Sequence, residues 1–141
     1  MKITQESDYA LRVVVYFSTL EPKAKVSANI IAENQNIPLR FLLKLLQKLK
    51  KADIVESFMG VNGGYALKKS PKDISLKDVI EAVEGPIHLN RCLLNPKECN
   101  NKGPDKCLIH NALGSVQETL IEQLSSINFK DISDGKYLDK G

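Results

Sequence analysis

The sequence predicts an α+β, mostly helical fold, a winged helix-turn-helix carrying a long C-terminal dimerisation helix. Three observations predict it. A short capped helix precedes a leucine-backed basic one, a glycine-rich hairpin follows directly, and a helical repeat of apolar residues fills 107–127.

Residues 8–20 are apolar nearly all round and read as a buried first helix. Val13, Val14 and Val15 would also suit a strand, but the run exceeds a usual strand and Ser7 is a candidate N-cap. Ser27 caps a short helix through Asn34, and Asn36-Ile37-Pro38 turns the chain. Pro38 then suits the first position of a helix over 38–52. The period changes after Asp53: 54–58 and 65–68 are strands, joined through Gly60, Asn62, Gly63 and Gly64. A helix opens at Ser75 and stops at Gly85-Pro86. Residues 91–107 lack periodicity and read as a loop. Ile109, Leu113, Val116, Leu120, Leu124 and Ile127 recur at helical spacing, and 129–141 reads as a flexible tail.

At 141 residues, 43% apolar and 26% charged, the chain is one ordinary domain and not a disordered one. A net charge of +3 does not by itself announce nucleic acid. No apolar stretch reaches the ~18 residues of a membrane span, and Met1 to Glu6 lacks the build of a signal peptide. A cytoplasmic protein with no membrane partner is expected.

Charge is concentrated in the helix 38–52. At 100° per residue, Arg40, Lys44, Gln47, Lys48 and Lys51 share roughly one third of the circumference, with Leu42, Leu43, Leu46 and Leu49 opposite. Residues 40–51 hold five basic side chains and no acidic one. Such a helix buries one face and offers the other to a polyanion, and a major groove ~12 Å wide admits it. A solvated lysine face is the plainer reading of any charge run. The flanking helix and hairpin favour DNA. Gly60-x-x-Gly63-Gly64 matches neither the dinucleotide fingerprint nor the P-loop, and it joins strands instead of opening a helix.

All three cysteines lie within 92–107, and with His110 they read C-x6-C-x7-C-x2-H. Clustered cysteines of odd number in a cytoplasmic chain point to metal or redox chemistry. Thiolates and imidazole suit iron–sulfur clusters and zinc alike. No C-x-x-C pair occurs, which favours the cluster over zinc. Cys107 stands at a helix start, which favours its thiolate, and His110 follows on the same face. Three free cysteines with a helix-capping histidine remain an alternative. His88 reads as a loop residue.

These residues resemble the Rrf2 family of bacterial winged-helix regulators over essentially the whole chain. The marks are Met1-Lys2-Ile3-Thr4 with Asp8-Tyr9-Ala10-Leu11-Arg12, then Ile37-Pro38, Phe41-Leu42 and Leu45-Leu46-Gln47-Lys48-Leu49. Gly60-x-x-Gly63-Gly64-Tyr65-x-Leu67 and Ile80-x-Ala82-Val83-Glu84-Gly85-Pro86 follow. The resemblance implies a dimer joined through the last helix. Asp105-Lys106-Cys107-Leu108-x-His110 is similar to the iron–sulfur cluster regulators of the family, which implies a 2Fe–2S cluster in preference to 4Fe–4S on Cys92, Cys99, Cys107 and His110. The family's nitric-oxide-sensing repressors draw a fourth ligand from the first helix, where Asp8 stands here. The cysteine spacings are longer than the family's commoner ones. Met59 replaces a wing arginine and Leu43 an acidic base reader, so the resemblance does not imply the same operator.

The expected organisation is a DNA-binding domain over 1–85, a cluster loop over 86–107, a dimerisation helix over 108–128 and the tail. The expected function is a transcription regulator, acting as a repressor, that senses redox, nitric oxide or iron–sulfur status. Its expected partners are a second copy of itself and double-stranded promoter DNA with a near-palindromic operator. Expected DNA contacts are Ser27, Pro38, Leu39, Arg40, Lys44, Lys48, Lys51, Met59, Gly60, Asn62 and Gly63. Leu113, Val116, Leu120, Leu124 and Ile127 are the expected dimer seam. Zinc or free thiols as the sensor are the alternative. An enzyme pairing Cys107 with His110 is remote, since no third group or oxyanion site accompanies them.

Overall fold

The first helix, α1 (Gln5–Ser18), places Ser7, Ala10, Val13, Val14 and Phe17 on one buried face, so packing overrides the strand preference of its valines. The computed structural model describes residues 2–100, 103 and 106–138; the motif positions Met1 and Asp105 lie outside them. Thr4 and not Ser7 caps α1: the Thr4 hydroxyl accepts the Ser7 N–H at 3.1 Å. The helix starts three residues earlier than its apolar run because exposed Gln5 and half-buried Glu6 continue it from the Thr4 cap, which puts Ser7 inside the first turn.

Ser27 caps α2 (Ala28–Gln35), and Asn36 ends it in the left-handed conformation at φ 54°, which asparagine tolerates. Pro38 stands at the cap of α3 (Leu39–Lys51), one position outside the helix. Leu42, Leu45, Leu46 and Leu49 are buried. The expected leucine face is thereby rotated: Leu45 lies −60° from Leu42 and goes inside, while Leu43, +100° away, is 41% exposed.

Strands β1 (Val55–Phe58) and β2 (Gly64–Leu67) form an antiparallel hairpin with Val55 opposite Leu67 and Phe58 opposite Gly64. Val26 bridges Tyr65 from outside, through reciprocal bonds of 2.9 and 2.8 Å. Helix α4 (Leu76–Glu84) has a complete capping box between Ser75 and Asp78 and ends at Gly85, φ 82°. The stretch expected to be a loop holds α5 (Arg91–Leu94), capped by Asn90, and a 3-10 turn at Pro96–Glu98. Both are shorter than the window in which periodicity shows. Helix α6 (Leu108–Ser126) follows Cys107 and has no buried residue among its own.

Residues 129–138 are not the expected loose tail. Phe129 opens α7 (Phe129–Ser133) and is fully buried as part of the hydrophobic core, with α7 packed on α1 and on the 3-10 turn at Pro71–Asp73. The Leu76 N–H donates to Ile127 O at 3.0 Å and the Phe129 N–H to Ile74 O at 3.1 Å. Asn128 caps the helix by accepting the Asp131 N–H at 2.9 Å. The C-terminal segment is thus stitched to the start of α4.

Candidate DNA-binding face and cysteine–histidine site

Arg40, Lys44, Gln47 and Lys51 stand exposed on α3, and no acidic residue sits in its first turn. The Arg40 guanidinium lies 4.9 Å over the exposed Phe41 ring, which holds it near the helix start. Lys48 is different. Its Nζ is 2.9 Å from Glu6 Oε1 of α1, an ion pair whose angle falls short of a hydrogen bond. The same ammonium donates to Val83 O of α4 at 3.4 Å. Lys48 therefore braces α3 against two helices, and its charge is already partly answered.

Replacing Lys44 or Lys51 with glutamine should flatten the log–log salt dependence of DNA affinity by about 0.9 for each phosphate no longer neutralised. Lys48→Gln should change that slope less. Fluorescence anisotropy across a salt series checks both, and equal slopes for all variants would mean that the stripe is an ordinary solvated face.

At the wing, Gly63 N–H donates to Gly60 O at 3.0 Å and closes the turn. A Cβ on Gly63 would run into Phe58 O, so the turn requires glycine there. Met59, Gly60 and Asn62 are exposed as expected, and so is Val61, which was not among the expected DNA contacts. The signal for it lies in the sequence: apolar side chains on both sides of Gly60, where turns are usually polar. Lys25 is a second omission, lying 4.2 Å over the Phe58 ring at the stem. Leu39 and Pro38 are exposed at the start of α3, while Ser27 is half-buried with its hydroxyl turned to the Ile30 N–H at 3.3 Å.

Asp53 (φ 60°) and Lys68 close the base of the hairpin at 2.9 Å. The Lys68 hydrogen bond and charge hold the Asp53 carboxyl below its usual range, and Asp53 in turn raises the Lys68 ammonium. A lowered carboxyl stabilises the fold at neutral pH, and that contribution fades as pH falls through the depressed value.

The Cys107 Sγ caps α6 by accepting the His110 N–H at 3.4 Å, and His110 Nδ1 lies 3.2 Å from Cys92 Sγ on α5. Cys92, Cys107 and His110 therefore meet where α5 packs on the start of α6, all half-buried. Cys99, half-buried, ends the neighbouring 3-10 turn. Among the described residues no group of three or more His, Cys, Asp or Glu is placed so that it could hold a metal ion. Asp8 stands apart, exposed on α1 and 3.6 Å from Arg12 Nε, on a helix that packs against α2, α3, α4 and α7. His88 Nδ1 sits 3.1 Å from Pro86 O. By residue type the thiols and the imidazole suit an iron–sulfur group, and they stand on or beside short helices that hold no buried residue.

The predicted dimer seam is only partly covered within the chain. Leu113, Leu120, Leu124 and Ile127 are half-buried and Val116 is 57% exposed. No helix among the described residues is long and apolar enough to cross a membrane.

Comparison with known proteins agrees with this geometry. The Rrf2 model, described as an iron-dependent transcriptional regulator, matches residues 3–135. The HTH-type transcriptional regulator NsrR of Shouchella clausii is 33% identical over 129 residues, 85% of this chain and 83% of that one. The regulator IscR of Pectobacterium carotovorum is 29% identical over 136 residues, 96% of this chain and 81% of that one. Among solved structures, CymR, the global cysteine regulator of B. subtilis, superposes with a TM-score of 0.78 at 25% identity, covering 99% of both chains.

Proposed function

The chain belongs to the Rrf2 family of transcriptional regulators, and on that premise we propose that it is a homodimeric, operator-binding repressor governed by an iron–sulfur cluster. The observation that carries the reading is the meeting of Cys92, Cys107 and His110 at the head of α6. Cys99 completes the donor set from the adjacent turn, and Asp8 of a second copy is the alternative fourth ligand. A 2Fe–2S group held there would supply a centre sensitive to oxidants, nitric oxide or iron supply.

The chain's own residues do the rest. Exposed Arg40, Lys44 and Lys51 address the major groove, and the hairpin addresses the adjoining phosphate backbone or minor groove. The apolar residues of α6 that this chain leaves uncovered are the surface for a second copy. Two-fold symmetry then calls for half-sites ~34–36 Å apart in a near-palindrome. Ordering of the loop 86–107 by the cluster would bias how the two DNA-binding units are spaced.

Anaerobic purification with iron, sulfide and zinc analysis is the test. We expect two irons and two sulfides per chain, and DNA affinity that differs between loaded and stripped protein. Protein carrying zinc without sulfide would hand the sensing role to zinc, and metal-free protein with redox-dependent DNA binding would hand it to the thiols.

A further inference from the structure

We propose that the wing is an apolar wedge: Met59 and Val61 enter the minor groove beside α3 and part a base step, so the operator is bent when bound. The inference rests on the proposal that this chain binds duplex DNA. Met59 is 98% exposed and Val61 is wholly exposed, on either side of Gly60. No charged side chain occurs over residues 57–66. A hairpin that merely followed phosphates would carry lysine or arginine at its tip, as α3 does along its face. This tip instead offers two apolar side chains to solvent on either side of one glycine, with no charge in the hairpin tip beside them.

The hairpin is shaped to enter a narrow space. The minor groove is about 6 Å wide, and Gly63 and Gly64 keep the stem thin. A Cβ on Gly64 would meet Val26 O at 2.7 Å, so the close approach of the Val26 segment depends on that glycine. The Val26–Tyr65 bridge and the Asp53–Lys68 pair fix the stem to the helical core. The tip therefore behaves as a rigid finger on a braced base. Methionine is unbranched and conforms to irregular gaps, and apolar side chains of this kind unstack base steps and bend the duplex in minor-groove complexes. Asn62 beside them offers an amide to the acceptors on the groove floor. Lys25, held over the Phe58 ring at the stem, supplies charge where the phosphates pass instead of at the tip.

The test uses the full chain with a duplex selected by it from a random library. Adenines flanking each half-site are replaced singly by 2-aminopurine, whose fluorescence rises when its step is unstacked. Wild type should brighten one step per half-site severalfold. The Met59→Ala/Val61→Ala protein should leave that step dark and bind on the order of tenfold more weakly. Both residues are solvent-exposed, so the variant keeps its fold. Met59→Arg should recover affinity through charge, with a steeper salt dependence and a dark probe. A dark probe with wild type, or brightening that survives the double substitution, would overturn the wedge. If affinity still depends on Lys44 and Lys51 while the wing variants change nothing, DNA binding stands and the apolar tip is left to a protein partner. A chain that enriches and binds no duplex loses the underlying reading and the wedge with it.

Discussion

Phe129→Ala should cost about 3–5 kcal/mol, the range for truncating a fully buried aromatic side chain. Phe129 is the largest completely enclosed side chain among the described residues, and its helix packs on α1. Its backbone N–H bonds Ile74 O, so the truncated residue stays tethered over the cavity it leaves, and collapse around that cavity is limited. Against a total of roughly 5–15 kcal/mol for a domain, the loss is severe. Urea unfolding should show a lower midpoint with an unchanged slope, and Tm should fall by more than 10 °C, about 3–5 °C per kcal/mol at this size. A loss below about 1 kcal/mol would mean that α7 is a dispensable appendage. Leu138, mostly exposed four residues beyond Asp134, provides the control, since Leu138→Ala should be close to neutral.

Cys92→Ala and Cys107→Ala should each abolish the visible absorption and most of the iron of anaerobically prepared protein. Removing one of three soft donors leaves two thiols and His110, one ligand short of a four-ligand site. DNA binding by the substituted proteins should be indifferent to oxidants, because the winged unit lies elsewhere in the fold. His110→Ala separates the two candidate fourth ligands. His110 touches Cys92 Sγ at 3.2 Å and caps on Cys107, whereas Asp8 lies on a different helix with Arg12 beside it. His110→Ala should therefore shift the spectrum and potential. Asp8→Ala should leave them in place. The reverse outcome would assign the fourth position to a carboxylate from the second copy.

Much of this is legible in the sequence where a local rule has no competitor. The box from Ser75 to Asp78, the glycines of the hairpin and the cap at Ser27 each depend on a few adjacent residues, and each forms as expected. The cysteine pattern likewise announces Cys107 and His110, since an offset of three on a helix start brings them together. Expectation and structure part where tertiary contacts decide. Ser7 is as good a cap as Thr4 by type, and only the burial of its face excludes it. Leu43 and Leu45 differ in no local property, so which of them faces the core follows from how α3 docks. Phe129 escapes notice because scattered apolar residues in a short, largely polar segment show no periodicity, although Asn128 and Asp131 carry a cap signal. The pairing of Lys48 with Glu6 joins residues 42 positions apart, and no pattern within either helix foretells it.

Helix α6 runs without a break from the cysteine cap at one end to Ile127 at the other, where the Leu76 N–H holds its last carbonyl. Nineteen residues make a rod about 28 Å long at 1.5 Å per residue. One end is a pivot, pinned to the start of α4 and sealed by Phe129. The other end carries the thiol and imidazole. A tilt of about 10° at the pivot displaces the far tip by ~5 Å over that length, several times the change in any single bond to sulfur. In the proposed dimer the same leverage would couple a rearrangement at Cys107 and His110 to the orientation of the winged unit, whose internal packing, including the brace at Lys48, would stay intact.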